Sequence, residues 1–336
     1  MKIKSRDIRD VLLQLAVALA IGLGIATLVS SDTVLSLLAQ AVIYAVFALG
    51  VGILLRQNGL VSFGHAVFFG TAGYLVGWLL ERDMMPGGLV IVVSILVIMV
   101  AAFVLGLIFA RVPGIAFAML TLAVGQMVYL FVARSRSFLG GADGLQIDWP
   151  SSLFGLPLAA FYEPASMFFI SWTVLFCLVA LLTLLFRSRF GSITEAVRDN
   201  EERARFIGIG RLLPRAMVYA ISAGISAVGG VLSALYTGFV SPESLHWSVS
   251  GAALVMVILG GYKKLWGPVI GAIVYFLIKD YLGEVTAYWM AVLGALLILV
   301  VVFSPDGIAG ALSQMAPQWR RQRRPLPTAI PRRRTP

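Results

Sequence analysis

The chain has one cysteine, Cys177, and two histidines, His65 and His246, among 336 residues. A lone cysteine excludes an internal disulfide and a cysteine-based metal cluster, and histidines placed toward opposite faces leave no set of metal ligands. Charged residues make up only 12% of the chain against 60% hydrophobic, and the mean hydropathy is +0.94. A soluble domain of this length could not hide so much apolar surface, which leaves an all-α polytopic membrane protein. No Gly-Lys pair occurs anywhere, so the chain has no P-loop with which to bind ATP itself. Away from their ends the apolar runs hold essentially no ionisable side chain, whereas proton-coupled carriers use such residues as a charge relay. An intramembrane enzyme acting on lipid would need a nucleophile or an acid–base pair at membrane depth, and none is visible. Neither catalysis nor a bound cofactor is expected of this chain. Energy for any transport comes from a partner or a gradient, and a self-sufficient ion-coupled carrier that uses backbone carbonyls at broken helices stays open as the alternative.

What is present is about ten apolar runs, at 11–30, 34–55, 60–80, 88–110, 114–133, 166–186, 216–238, 249–261, 265–281 and 286–303. A spanning helix needs roughly 20 such residues. The eighth and ninth runs are short and fit tilted spans or half-helices. The first follows basic residues as a signal peptide would, but it is long and lacks a small-x-small cleavage signal, so it reads as a retained span. With ten spans and the N-terminus inside, Lys and Arg divide 22 inside to 4 outside. That split places both termini in the cytoplasm. The net charge of +10 therefore records topology and contact with anionic lipid, and no nucleic acid is expected.

The organisation that follows is a transmembrane domain over 1–317, with an external loop at 134–165 and a cytoplasmic loop at 187–215. An Arg/Pro-rich tail at 318–336 cannot pack a core and reads as disordered. Ten spans divide into two five-helix halves of opposite sense, the arrangement of inverted repeats. A faint echo, AVIYAV at 41–46 and AMVYAI at 216–221, opens the second and seventh spans.

Polar candidates within the spans are few. In GLVSFGHAVFFGTAGYLVG, from Gly59 to Gly77, glycines with Ser62 and His65 weaken helix continuity where the third span begins. Ser62, Gly64 and His65 could line a path or gate there, or the glycines could permit close helix packing. His65 is expected near the cytoplasmic edge with local hydrogen bonds, and His246 solvated in an external loop. Thr121 and Gln126 lie in the fifth span, and Gln126 is its most polar side chain near mid-membrane. It is placed either to meet a polar solute or to bond a neighbouring helix. Gly260 and Gly261, with Gly267 and Pro268, mark another break that serves either packing or gating. Cys177, mid-span, is expected to be a buried, inert thiol.

The charged stretch from Arg187 to Arg215 holds seven basic residues between two spans. Ser192 and Glu195 form an S-x-x-E capping box, and Gly208 and Gly210 supply helix end signals. Ile193, Ala196, Val197, Ala204 and Ile207 fall on one stripe, with Arg198, Asp199, Glu201, Glu202 and Arg205 opposite. The pairs Arg198/Glu202, Asp199/Arg203 and Glu201/Arg205 sit four apart, where they support a helix weakly. One short amphipathic helix offered as a docking surface is the expectation.

The blocks VSFGHAVFFGTAGY, PGIAFAMLTLAVGQMVY, GGADGL, FGSITEAVRDNEERARFIGI, SGAALVMVILGGYKKLWGPVIGA and FSPDGIAG occur in register. Together they resemble the branched-chain amino-acid ABC transporter permease family over roughly residues 35 to 310. The resemblance implies a multi-pass subunit of the bacterial inner membrane. It would pair with a second homologous permease, two cytoplasmic ATP-binding subunits that use the ATP, and an external solute-binding protein. It also implies that 192–209 is the loop contacting an ATPase, through Glu195, Ala196, Arg198, Asn200, Glu201, Arg203 and Ala204. Related importers carry urea, short amides and aromatic acids as well as branched-chain amino acids, so the resemblance leaves the solute open.

Overall fold

A computed structural model describes residues 5–83, 85–286, 288–304 and 306–315. The 318–336 tail lies outside the described residues. The first half holds α1 (Ser5–Leu28), α2 (Asp32–Asn58), α3 (Ala66–Glu81), α4 (Gly87–Phe109) and α5 (Gly114–Arg134). A connecting region follows, with the single-turn helices α6 (Arg136–Leu139) and α7 (Ala159–Tyr162) and the two-residue strands β1 (Leu145–Gln146), β2 (Ser152–Leu153) and β3 (Leu156–Pro157). Next come α8 (Pro164–Arg187), α9 (Arg189–Asp199), α10 (Glu201–Phe206) and α11 (Leu212–Thr237). Strand β4 (Phe239–Val240) leads to α12 (Trp247–Gly260), α13 (Gly267–Val285), α14 (Trp289–Phe303) and α15 (Gly307–Met315). The chain is helical, as expected, with two small antiparallel pairings, β1 with β4 and β2 with β3.

Among the described residues six helices are long and apolar enough to cross a membrane: α1 from Arg9, α2, α4, α5, α8 and α11. Three shorter apolar helices accompany them, α3, α12 and the first part of α14. All six are strongly apolar, yet burial separates them. The apolar windows of α2 and α11 are 78% and 83% buried, while those of α1, α4, α5 and α8 lie between 17% and 33%. The two central helices therefore pack on protein all round, and the others present Leu, Val and Ile outward, as at Leu96, Val100 and Val104 of α4. Alpha-1 is held to α8 by the Trp172 indole N–H, which donates to the Ala18 carbonyl at 2.8 Å. Cys177 on α8 is exposed rather than buried as the sequence suggested. It sits on the outward face of a helix whose core side is Ser171, Leu175, Val179 and Leu182.

Alpha-2 ends where Gly59 adopts the left-handed conformation, φ 66°, and its N–H returns to the Leu55 carbonyl. The chain does not begin α3 there. Residues 59–65 run on without helix, and α3 starts only at Ala66. His65 lies against Ser222 of α11, whose hydroxyl bonds Gly50 of α2. Gly50 is two helical turns, about 12 Å, back along α2 from Asn58. The third apolar run is thus a non-helical segment followed by a short helix, and His65 is well inside the bundle rather than near its edge. Alpha-12 has only 14 residues and follows a single 3-10 turn, Pro242–Leu245, with His246 between them.

Candidate functional site

Non-helical backbone among apolar helices has no water to bond, and each unmatched group costs several kcal/mol. Hydroxyls from three helices hold the segment 59–65, its histidine and the start of α3 in place. Thr121 of α5 accepts from the Phe63 N–H at 3.3 Å and donates to the Ala118 carbonyl at 2.9 Å. Ser250 of α12 accepts from the Ala66 N–H at 2.7 Å and so caps α3. Ser222 of α11 donates to the Gly50 carbonyl at 2.6 Å and lies 2.7 Å from His65 Nε2. With that serine proton committed to Gly50, the Nε2–H tautomer of His65 completes the contact. His65 Nδ1 then accepts from Ser62 Oγ at 2.8 Å. The ring is fully buried and meets Phe68 and Tyr219 edge-on, each at 5.5 Å. At Gly64 a Cβ would overlap the Thr121 carbonyl oxygen, so only glycine lets the segment pass α5. Ser62, Gly64, His65 and Thr121 therefore form one cluster. Gln126, further along α5, is half-buried, and its Oε1 is enclosed without a hydrogen-bond partner among the described residues.

A second polar site lies where α2 ends. Ser188, not Ser192, caps α9, its Oγ accepting from the Phe190 N–H at 3.2 Å. The expected single helix is two, because Asn200 leaves helical geometry at φ −157° and caps α10 through Arg203 N–H at 2.8 Å. Asparagine is among the best N-caps, which is the physical reason for the break. The buried side of α9 is Gly191, Thr194 and Val197, and that of α10 is Ala204. Thr194 Oγ1 lies 2.9 Å from Gln57 Oε1 on α2, and Arg198 donates to the Arg56 carbonyl. The three pairs four apart do not form ion pairs. Arg198 bonds Asp199 at 2.7 Å, while Glu201 bridges Arg211 and, at 3.3 Å, Arg215 of α11. Gly208, at φ 82°, ends the unit as expected, and the Ile209 N–H reaches the Ala204 carbonyl at 3.0 Å. Of the predicted set, Glu195 and Ala196 are half-buried, Arg198 is engaged with α2, and Arg203 is exposed. Phe206, which sequence reasoning missed as a surface residue, is 90% exposed beside Ile207 at 69%. An adjoining cleft of about 760 Å³ runs between α10 and the start of α11, lined by Glu201, Arg205 and Leu213 among others. Exposed Phe and Ile amid Arg and Glu, on a rigidly braced pair of helices, is the composition of a protein-binding patch.

The model of the family described as "Branched-chain amino acid transport system / permease component" matches residues 33–301. The chain belongs to that permease family. It is 26% identical over 302 residues to the high-affinity branched-chain amino acid transport system permease protein LivM of Escherichia coli (strain K12), covering 84% of this chain and 71% of the relative. The autoinducer 2 import system permease protein LsrC of Salmonella paratyphi B is also 26% identical, over 290 residues, with 82% of this chain and 78% of the relative covered. The permease protein LivH of Salmonella typhimurium is 25% identical over 292 residues, covering 80% of this chain and 91% of the relative. No solved structure matches. The chain is accordingly a multi-pass transport protein of the inner membrane.

In this permease Gly260 and Gly261 stand apart from the His65 cluster. A Cβ on Gly260 would overlap the Gly267 carbonyl, and one on Gly261, at φ 95°, the Asp306 carbonyl. Here the end of α12, the start of α13 and the start of α15 touch backbone to backbone. Lys263 closes the knot on Asp306, whose hydrogen bond holds the ammonium above its ordinary range, and Lys264 donates to the Ala309 carbonyl at 3.1 Å. His246 caps α12, its Nδ1 accepting from the Ser248 N–H, and its ring meets Tyr129 of α5 at 5.1 Å, so it is engaged rather than simply solvated.

Proposed function

We propose that this permease is the translocation subunit of an ATP-driven importer of branched-chain or other hydrophobic amino acids. It would cross the membrane ten times, with α1–α5 and α8, α11–α14 as two inverted halves. In that arrangement α3 and α12 are the third helix of each half. Both are short and follow a break in the α-helical chain, α3 after the non-helical residues 59–65 and α12 after a 3-10 turn at Pro242–Leu245. Broken helices mark the path in inverted-repeat transporters. Both termini and the α9–α10 unit face the cytoplasm, the side to which the Lys and Arg bias assigns them.

The observation that carries this reading is the bracing of α9 on the end of α2 through Thr194–Gln57 and Arg198–Arg56. A push on α9–α10 by an ATP-hydrolysing partner passes into α2, and Gly50 of α2 holds the Ser222–His65 contact. Glu195, Ala196, Arg198, Asn200, Glu201, Arg203 and Ala204 form or support the coupling surface. Ser62, Gly64, His65, Thr121 and Gln126 belong to the gate, and the Gly260–Gly261 knot is a fixed point of the path apart from that cluster. A second homologous permease, two ATP-binding subunits and an external solute-binding protein complete the assembly. The chain itself binds no cofactor.

Relatives named for autoinducer 2 and for branched-chain amino acids share the same 26% identity with this chain. The choice of solute therefore rests on the interior, where aliphatic and aromatic side chains predominate among the described residues and the buried polar groups are mostly hydroxyls. Uptake of leucine by the chain reconstituted with its ATP-hydrolysing partners and its binding protein should require ATP and survive collapse of ion gradients. Accumulation of leucine by the purified chain alone, driven by an imposed sodium or proton gradient, would replace this reading with the carrier.

A further inference from the structure

A cavity of about 300 Å³ lies wholly within this one subunit, between α2, α3, α11 and the β4–α12 connection. That volume is at the lower end of small-molecule sites. Its floor is apolar: Phe69 and Ala234 are buried, and the Tyr44 ring packs on Phe69 at 5.5 Å. Its rim is exposed at Thr237, Phe239 and Glu243. Four polar groups face it with no partner recorded among the described residues: the hydroxyls of Tyr44, Ser233 and Ser241 and the carboxylate of Glu243. By contrast, Thr237 and Ser244 spend their protons on backbone carbonyls. The cavity adjoins both short helices, through Phe69 and Gly70 of α3 and Val249 of α12.

An apolar floor with one acid at the mouth and free hydroxyls along the wall is a chemical pattern, not merely a void. A carboxylate recognises an ammonium by a charge-assisted bond. Serine and tyrosine hydroxyls donate to a carboxylate. The rings and aliphatic side chains take an apolar group.

We infer that this cavity holds a zwitterionic amino acid with an apolar side chain, its ammonium on Glu243, its carboxylate toward Ser233 and Ser241, and its side chain over Phe69 and Tyr44. The inference rests on the importer reading for its choice of solute, and it adds a holding site inside a single subunit.

The test uses the full chain in intact cells, with Ser233→Cys introduced on a Cys177→Ser background and modified by externally added methanethiosulfonate ethylammonium. L-Leucine should slow modification at least fivefold, while 4-methylpentanoate, which lacks the ammonium, should not. Adding Glu243→Gln should raise the leucine concentration for half-protection at least tenfold, and Glu243→Asp should largely restore it. Protection without ATP-dependent uptake would leave the cavity standing and remove the importer reading. Uptake with no protection by leucine, or protection indifferent to Glu243→Gln, would overturn the site.

Discussion

Gly261→Ala should be among the most damaging single-methyl changes in this permease. The residue sits at φ 95°, where a side chain is strained, and its added Cβ would run into the Asp306 carbonyl and the Gly307 backbone. Strain of that kind and overpacking against backbone each cost ~1–3 kcal/mol, and neither can be relieved by turning a side chain. A total of about 3 kcal/mol or more is a large part of the stability of an ordinary domain. Gly283→Ala is the matched control, because nothing lies within 4 Å of its Cβ position. Thermal unfolding of the detergent-solubilised chain should show a much lowered midpoint, or no monodisperse protein, for the first variant and almost no change for the second. An unchanged midpoint with altered uptake would mean that Gly261 moves during transport and is not a fixed point.

The second large effect is expected at α10. Arg203→Glu combined with Phe206→Ala changes two exposed side chains that make no side-chain hydrogen bond or ion pair in the described structure. Such changes typically alter stability within ~0.5 kcal/mol each. At a partner surface, like charges brought together cost several kcal/mol, and an exposed aromatic anchor is a common centre of binding energy. The double variant should insert and unfold like the parent, yet co-purify with at least tenfold less ATP-hydrolysing partner and lose uptake in proportion. Arg198→Glu should behave differently. That guanidinium satisfies the Arg56 carbonyl at the end of α2, so a carboxylate there faces the negative end of a helix and should destabilise the chain as well as uncouple it. A parental complex with full uptake from the double variant would reduce α9–α10 to a solvated connection.

Much of this was legible in the sequence, and the misses have physical causes. Six blocks in register identified the family, and the apolar runs located every long helix. The third run misled on depth, because Leu60, Val61 and Phe63 are as apolar in extended chain as in a helix. Only contacts 58 to 184 positions away, to Thr121, Ser222 and Ser250, set where His65 sits. Cys177 lies in a helix that is apolar on every side, and such a helix carries no stripe to say which face meets protein. In the charged loop the Ser192–Glu195 box was the louder signal, but Ser188 and Asn200 do the capping. Asn200 could have been found as a second cap, since it is followed by two glutamates suited to a first helical turn. The unpartnered wall of the cavity had no sequence signal at all. Tyr44, Ser233 and Glu243 come from three separate segments.

The most direct test of the central claim, that force from ATP hydrolysis enters through α9–α10, is site-specific photocrosslinking from position 206. A benzophenone amino acid is placed there in the full chain and irradiated in membranes of cells that import leucine. The account predicts one major adduct, a polypeptide that binds ATP, which disappears when Arg203→Glu is added. Adducts with lipid alone, or none, in membranes whose uptake is intact would contradict it.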